Sequence, residues 1–161
     1  MKNKILNIVK ELIPYIIIII VVCLIRTYII TPVRVDGTSM NPTLENDEIL
    51  LLNKYDHSYK RFDIIVFKTS GSKLVKRIIG LPGDTVEYKN NKLYINGNYV
   101  EENFSHKTTN DFKEEKVKEG YYFVLGDNRT NSLDSRFIGQ IPKENITGVV
   151  KISLYPPKIL K

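Results

Sequence analysis

An uncharged apolar segment near the N-terminus constrains this chain more than any other feature of its sequence. Residues 12–25 read LIPYIIIIIVVCLI, Arg26 follows, and TYII extends the segment to Ile30. As a helix, residues 12–30 would be about 28 Å long, close to the thickness of the hydrocarbon layer of a bilayer. Arg26 lies near the end of the segment, where its guanidinium can reach the interface beside Tyr28. The segment therefore predicts one transmembrane helix at residues 12–30.

The segment has two competing interpretations, an uncleaved anchor and a signal peptide that is removed. It is long for a signal peptide, and the bulky sequence YIITPVRV follows it in place of a small-x-small cleavage site. We therefore favour an anchor. Lys2, Lys4 and Lys10 precede it, with Glu11 as the only acid. The positive-inside rule then predicts that residues 1–11 are cytoplasmic and that residues 31–161 form an extracytoplasmic domain on the cell membrane.

Composition limits the partners of the outer domain. The chain has 161 residues, a net charge of +6 and a pI near 9.3, which suits a nucleic acid or an anionic membrane. Its basic residues are spread along the sequence, and no nucleic-acid-binding motif occurs, so we expect no nucleic-acid partner. The single cysteine, Cys23, excludes an intrachain disulfide and a thiolate metal site. We expect a monomer that holds no metal and no cofactor.

The outer domain shows signals for strands. Short runs rich in β-branched residues at 48–55, 63–69 and 73–80 predict strands, as does YYFVL after Gly120. Residues 85–100 predict three strands joined at Asn90-Asn91 and Asn96-Gly97, since asparagine and glycine tolerate the positive φ of hairpin turns. We expect a solvated loop at 101–119 and a last strand at 146–155. Strands so short and closely spaced predict a mainly β fold without βαβ units.

A serine in VDGTSMNPTL (residues 35–44) raises the question of its base. A serine hydroxyl is a weak nucleophile unless a base activates it. The chain has two histidines, His57 and His106, and both lie in polar surroundings far from Ser39 in the sequence. A Ser-His pair has no support in this pattern. The other solution is a lysine that burial keeps neutral.

Lys76 is the lysine that the sequence sets inside an apolar run, LVKRIIG. Successive side chains of a strand face opposite sides, so either Lys76 or Arg77 is expected to face the core. Lysine can lose its proton and is the cheaper of the two to bury. This pattern makes Lys76 a candidate base for Ser39. The competing interpretation is a lysine at a strand edge whose amine reaches water.

Residues 125–142, LGDNRTNSLDSRFIGQIP, are dense in short polar side chains. One interpretation is a turn-rich loop held together by Asp–Arg pairs. Another is a set of hydrogen-bonding groups that orients a catalytic amine, with Ser132 or Ser135 as its partner. The residues alone leave both open.

Four stretches resemble, in order, the conserved boxes of bacterial type I signal peptidases: GTSMNPTL, RFDIIVFK, VKRIIGLPGD and GDNRTNSLDSRFIG. With the apolar segment they cover nearly the whole chain. The resemblance implies a β-rich catalytic domain like that of signal peptidases and self-cleaving repressors. It also implies a membrane serine endopeptidase that uses a Ser-Lys dyad and no metal. Its substrates would be the signal peptides of secreted preproteins, cut after small-x-small sites at the outer membrane face.

Matched position by position, the resemblance implies that Ser39 is the nucleophile and Lys76 the general base. It implies that Ser132 orients the lysine amine. The residues that it places in supporting positions are Asp127, Arg129, Asp134 and Arg136. Those that it places along the substrate pockets are Met40, Leu44, Leu74 and Val75, although strand alternation separates Leu74 from Val75.

The chain departs from the family pattern at two positions. Gly37 stands where some members carry a serine that assists the oxyanion hole, so we expect the hole to rest on backbone N–H groups, chiefly that of Ser39. Phe62 stands where a glycine is common, which puts the local turn in doubt. Two other functions stay open: a Ser-Lys peptidase dedicated to one substrate, such as a pilin, and a non-catalytic membrane-tethered β module.

Overall fold

The N-terminal apolar segment forms one long helix. The computed structural model describes residues 2–69, 71–105 and 108–160. Helix α1 (Lys2–Tyr28) contains the stretch Lys10–Tyr28, which is long and apolar enough to cross a membrane and has no buried residue. The helix ends at Tyr28 rather than at the predicted Ile30, because Ile30 already begins the first strand.

The rest of the described chain is mostly strand. The strands are β1 (Ile30–Arg34), β2 (Ile49–Asn53), β3 (Ile64–Thr69), β4 (Ser72–Gly80), β5 (Thr85–Lys89), β6 (Lys92–Ile95), β7 (Asn98–Val100), β8 (Phe112–Lys116), β9 (Tyr121–Leu125), β10 (Ile141–Pro142), β11 (Ile146–Tyr155) and β12 (Pro157–Ile159). A short helix α2 (Ser135–Ile138) and a 3-10 turn (Lys143–Asn145) lie between β9 and β11. The predicted mainly β fold is confirmed.

The strands form two antiparallel sheets. The larger sheet has the order β1-β2-β11-β3-β4-β9-β10, with β12 paired to β11, and the smaller sheet has the order β7-β6-β5-β8. Strand β4 enters the larger sheet between β3 and β9, and its end leads directly into β5 of the smaller sheet. The two sheets therefore meet at the end of β4.

The turns of the smaller sheet follow the sequence signals. Asn90, Asn91, Asn96 and Gly97 all have positive φ, between 52° and 76°. Each Asn pair or Asn-Gly pair closes a two-residue hairpin, from β5 to β6 and from β6 to β7. The three strands predicted within residues 85–100 are confirmed.

The polar segment at 101–119 is not only a loop, as we expected. Residues Phe112–Lys116 form β8, which pairs with β5 at the edge of the smaller sheet. The sequence FKEEK lacks a strand signal because most of its side chains face water and it needs no apolar face of its own. The prediction of β11 as the last strand is also wrong, since β12 follows it.

Strands β3 and β4 are covered on both faces, which explains their nearly continuous apolar runs. Ile65 and Ile78 belong to one apolar cluster. Ile64 and Val66 belong to a second cluster, and Ile79 belongs to a third, shared with the smaller sheet. Over residues 76–80 every side chain of β4 is buried. A polar group in this part of β4 is thus held in a largely dry environment.

Candidate active site

Ser39 and Lys76 meet at the edge of the larger sheet. Ser39 lies in the turn after β1 and is half-buried, and Lys76 lies on β4 and is 2% exposed. The Nζ atom of Lys76 donates to the Oγ atom of Ser39 at 2.7 Å and to the carbonyl of Val75 at 3.0 Å. The structure thus brings the hydroxyl and the amine of the two candidate residues into direct contact.

Burial makes this amine a weaker base than an ordinary lysine. It lowers the pKa of Lys76 from 10.5 to about 8, although the carboxylates of Asp134 and Asp127 oppose the shift. The desolvated amine loses the hydration that would stabilise its charge, and this effect outweighs the two carboxylates. At pH 7 about one tenth of such amines are neutral. A lone pair that can accept a proton from Ser39 is therefore available near physiological pH.

His57 does not supply a base. The Nδ1 atom of His57 lies 3.3 Å from the hydroxyl of Tyr59, away from Ser39. His106 lies outside the described residues.

The expectation that either Lys76 or Arg77 alone faces the core is wrong. Arg77 is 0% exposed and forms an ion pair with Asp127 at 2.7 Å on the opposite face of β4. It also donates to the carbonyl of Phe62 at 2.8 Å, and its guanidinium lies 4.0 Å from the centre of the Phe104 ring. The alternation of side chains would separate a buried from an exposed neighbour only on a strand with one face in water, whereas β4 is covered on both faces.

Asp127 links this arginine to the loop that carries the serine. Its two carboxylate oxygens accept from Nε and Nη2 of Arg77 at 2.9 and 2.7 Å. One of them also accepts from the hydroxyl of Thr43, which lies in the same loop as Ser39. The carboxylate therefore holds the serine loop against the strand that carries Lys76.

The polar stretch after β9 clamps the serine turn a second time. The backbone N–H of Asn128 donates to the carbonyl of Ser39 at 3.0 Å, and its side-chain amide donates to the carbonyl of Thr38 at 3.1 Å. The amide of Asn131 donates to the hydroxyl of Thr38 at 3.0 Å. These bonds fix the backbone on either side of the Ser39 side chain.

The acids and arginines of the same stretch hold the stretch itself. Asp134 caps α2, accepts from Nε and Nη2 of Arg136 at 2.8 Å each, and accepts from the N–H of Gly126 at 3.0 Å. Arg136 donates to the carbonyl of Arg129 at 2.8 Å. None of these groups contacts Ser39 or Lys76 directly among the described residues, so their arrangement is that of a scaffold.

Arg129 extends the scaffold to the smaller sheet. Its Nε atom donates to the carbonyl of Gly126 at 3.0 Å, and its guanidinium contacts Glu102, the hydroxyl of Tyr88 and the hydroxyl of Thr109. Sequence reasoning missed Glu102 as a partner, because it lies in a polar segment where no periodicity or motif distinguishes one acid from the next.

Ser132 lies close to the carbonyl of Ser39 and forms no hydrogen bond with Lys76 in the described part of the chain. Its Oγ atom is buried and finds no hydrogen-bond partner in the described part of the chain. It is 2.2 Å from where a Cβ of residue 126 would stand, and the Ser39 carbonyl is 2.5 Å from that point, so only glycine fits there. The pairing of β4 with β9 ends at Arg77 and Leu125, and the same register continued by one residue would set Lys76 opposite Gly126. Lateral partners share a face of the sheet, so Ser132 Oγ lies on the lysine side.

The four candidate pocket residues do not line one surface. Met40 and Leu44 are buried in the cluster that also contacts Val75. Leu74 packs against a different cluster, as the alternation of strand side chains predicts. On the side away from β3, strand β4 pairs with β9 only from Arg77 to Gly80 within the described chain. Residues 72–75 therefore present an open strand edge that ends at Lys76.

Gly37 and Phe62 both adopt left-handed backbone conformations. Gly37 has φ of +94°, and its N–H donates to the side chain of Asn46 at 2.8 Å. The N–H of Ser39, in contrast, has no acceptor among the described residues. Phe62 has φ of +71°, so it keeps the turn that a glycine would form with less strain. The turn therefore forms with Phe62 in a backbone conformation that glycine adopts more easily.

Comparison with known proteins places the chain in a family. The model of the family described as "Signal peptidase, peptidase S26" matches residues 7–155. The chain belongs to the signal peptidase family, peptidase S26. Its members similar to this chain include signal peptidase I S of Bacillus subtilis (strain 168), which is 45% identical over 155 residues, covering 86% of this chain and 84% of that protein.

Further members of the signal peptidase family are similar to this chain. Signal peptidase I V of Bacillus subtilis (strain 168) is 46% identical over 137 residues, covering 73% of this chain and 81% of that protein. A crystal structure of a signal peptidase I from Enterococcus faecalis V583 is 40% identical, with a TM-score of 0.53, and covers 57% of this chain and 96% of that chain. This member of the family is thus a hydrolase, a serine endopeptidase with the signal peptidase fold.

Proposed function

We propose that this protein is a membrane-anchored signal peptidase that cleaves secreted preproteins after small-x-small sites with a Ser39–Lys76 dyad. The observation that carries the proposal is the 2.7 Å contact between the Ser39 hydroxyl and a buried lysine amine. Family membership supplies the reaction class. The contact supplies a nucleophile and a base in reach of each other.

The reaction begins with neutral Lys76. Its amine accepts the proton of Ser39 as Oγ attacks the scissile carbonyl, and a tetrahedral oxyanion forms. The N–H of Ser39, which has no acceptor among the described residues, donates to this oxyanion. The protonated amine gives its proton to the leaving nitrogen, the C–N bond breaks, and an acyl-enzyme remains. Lys76 then accepts a proton from the water that attacks the ester, and it gives this proton to the Oγ atom of Ser39 as the acyl product leaves.

The open edge of β4 suits an extended substrate. Residues 72–75 lack a strand partner on the side away from β3 in the described chain, and this edge ends at the dyad. A peptide added along it as a further strand would gain main-chain hydrogen bonds and reach Ser39 with its last residue before the cut. Leu74 and Val75 would then contact alternate substrate side chains on the two faces of the edge.

An anchor formed by the apolar helix would hold the site at a membrane. The stretch Lys10–Tyr28 of α1 carries no buried residue, so its apolar surface is available to lipid. The basic residues before it favour a cytoplasmic N-terminus and an extracytoplasmic catalytic domain. In that arrangement the dyad faces the compartment to which signal-peptide cleavage sites are exported.

The dyad is tested by substitution and peptide cleavage. Ser39→Ala and Lys76→Ala should each lower the cleavage of a precursor peptide with an Ala-x-Ala site by at least about a thousandfold in detergent. Lys113→Ala, at an exposed lysine on β8 of the smaller sheet, is the control and should keep the wild-type rate. Wild-type rates in either dyad variant would refute the proposal. A panel of unrelated precursors distinguishes a general peptidase from one dedicated to a single substrate.

A further inference from the structure

A cavity opens along the loop after β9 and takes no part in the reaction proposed above. It has a volume of about 550 Å³. Its lining residues are Thr108, Asn110, Arg129, Thr130, Asn131, Ser132, Leu133, Arg136 and Phe137. We call it the Phe137 groove. Its volume lies in the range of roughly 300–1,000 Å³ that is typical of ligand sites.

Two apolar side chains of the Phe137 groove are exposed to solvent. Leu133 is 57% exposed and Phe137 is 71% exposed, although both lie next to a densely hydrogen-bonded stretch. Arg136 contributes little free charge, because Asp134 binds its guanidinium through two hydrogen bonds. The groove therefore offers apolar contact and neutral hydrogen-bonding groups to a ligand, and its charges are largely compensated.

The position of Ser132 in the groove lining suits the part of the substrate that follows the scissile bond. Ser132 belongs to the groove wall, and its Oγ atom lies beside Gly126 on the face of the sheet that carries the Lys76 side chain. In the proposed reaction the Lys76 amine must reach the leaving nitrogen, so the residue after the cut lies on the amine side of Ser39. The substrate before the cut occupies the open edge of β4 on the other side.

The path of the chain after the cut is also restricted. Beyond Lys76 the edge of β4 is taken by β9, from the pair Arg77–Leu125 onward. A substrate that lies along residues 72–75 cannot continue straight and must turn away from the sheet at Ser39. The Phe137 groove, whose lining includes Ser132, is an opening on the amine side that can receive it.

We propose that the Phe137 groove binds the first residues of the mature protein, those that follow the scissile bond. Leu133 and Phe137 pack against their side chains, and preproteins with apolar or aromatic residues there are cut faster. The inference rests on the proposed function, because it assigns the groove to the leaving segment of that reaction. It makes Phe137 and Leu133 specificity-determining residues outside the dyad.

Two peptides and the ratio of their cleavage rates test this assignment. Both share one Ala-x-Ala site and one signal-side sequence. The long peptide continues for six residues with apolar side chains after the cut, and the short one ends, amidated, one residue after it. Burial of an exposed aromatic side chain predicts a kcat/KM ratio of long to short of roughly tenfold in the wild type. Phe137→Ala should lower the ratio to about two, and Leu133→Ala/Phe137→Ala should bring it close to one.

Tyr99→Ala is the matched control, since Tyr99 is 57% exposed on the smaller sheet and is absent from the groove lining. It should keep the wild-type ratio. Because the readout is a ratio, a general loss of activity in a variant cancels. A wild-type ratio near one, or a ratio that Phe137→Ala leaves unchanged, would overturn the groove assignment while the peptidase proposal stands. Failure of the wild type to cut either peptide would overturn both.

Discussion

Lys76 and Arg77 are consecutive residues on β4, and their side chains are buried on opposite faces of the same sheet. Arg77 forms an ion pair with the carboxylate of Asp127. Lys76 contacts a hydroxyl and a carbonyl, and no carboxylate of the described residues lies within ion-pair distance of its amine. The Arg77 guanidinium is thus paired with a carboxylate, while the Lys76 amine is buried without such a partner among the described residues. This asymmetry accounts for the low pKa of Lys76.

The first prediction concerns the pH dependence of cleavage. Only the neutral amine can accept the serine proton, and the pKa of Lys76 is about 8. We expect kcat/KM to rise about tenfold per pH unit below pH 8 and to level off above it. The measurement is peptide cleavage between pH 6 and 10 with a substrate that has no group titrating in this range. A rate that stays flat from pH 6 to 9 would exclude Lys76 as the base.

The second prediction is that Lys76→Met inactivates the protein and stabilises it. The pKa of Lys76 falls from 10.5 in the unfolded chain to about 8 in the folded one, so the folded state disfavours the charged amine. The cost is fully present below pH 8, on the order of 3 kcal/mol, and disappears as the pH rises to 10.5 because the unfolded amine then also loses its proton. Methionine has a similar length and no charge.

Thermal unfolding in detergent provides the measurement. Lys76→Met should unfold at a higher temperature than the wild type at pH 7, and the difference should shrink between pH 8 and 10. Lys73→Met, at an exposed lysine of the same strand, should show no such pH-dependent difference. A destabilised Lys76→Met at pH 7 would contradict the assignment of burial as the cause of the shift.

The third prediction concerns the buried ion pair behind the dyad. Asp127→Asn removes the charge that faces the Arg77 guanidinium, and both side chains are 0% exposed. Removing the carboxylate charge from a buried pair weakens the compensation of the guanidinium that stays, so we expect a loss of about 3 kcal/mol in unfolding free energy. Asp47→Asn is the control, because Arg34 and Asp47 form an ion pair with side chains 70% and 59% exposed. That variant should stay within about 0.5 kcal/mol of the wild type in urea unfolding.

The fourth prediction compares two variants at Phe62. Its φ is +71°, and its N–H and carbonyl bond to the Ile78 carbonyl and the Arg77 guanidinium, so the backbone is held in the left-handed region. Both Phe62→Ala and Phe62→Gly lose the edge contact with the Phe104 ring, whose centre lies 5.1 Å away. Glycine alone also relieves the strained φ. We therefore expect Phe62→Gly to be about 1 kcal/mol more stable than Phe62→Ala. Equal stabilities in urea unfolding would show that the turn relaxes when the ring is removed.

Local signals were enough for much of the fold. The turns at Asn90-Asn91 and Asn96-Gly97 were predictable because two residues set the hairpin geometry. Lys76 was predictable as an unusual lysine because its apolar neighbours are adjacent in sequence. Both signals depend on residues that are adjacent in sequence, within one strand or one turn.

Features that depend on distant contacts could not be predicted. Strand β8 is charged and its sequence carries no strand pattern. It forms a strand because its backbone pairs with β5. The burial of Arg77 requires Asp127, 50 residues away, and the contact of Arg129 requires Glu102, 27 residues away. No pattern within a strand or loop encodes such partners, and the position of Ser132 beside Gly126 depends on how the loop after β9 folds back.

The junction between α1 and β1 consists of Ile29 alone, and it is braced. The hydroxyl of Thr31 donates to the carbonyl of Arg26 at 2.7 Å, and the amine of Lys54 donates to the carbonyl of Thr27 at 3.0 Å. With the helix in a bilayer, such a joint would hold Ser39 at a constant height above the lipid. A substrate threaded through the same bilayer would present to Ser39 whichever bond lies at that height. The length of a signal peptide's apolar segment, as well as its sequence, would then determine which bond the enzyme cleaves.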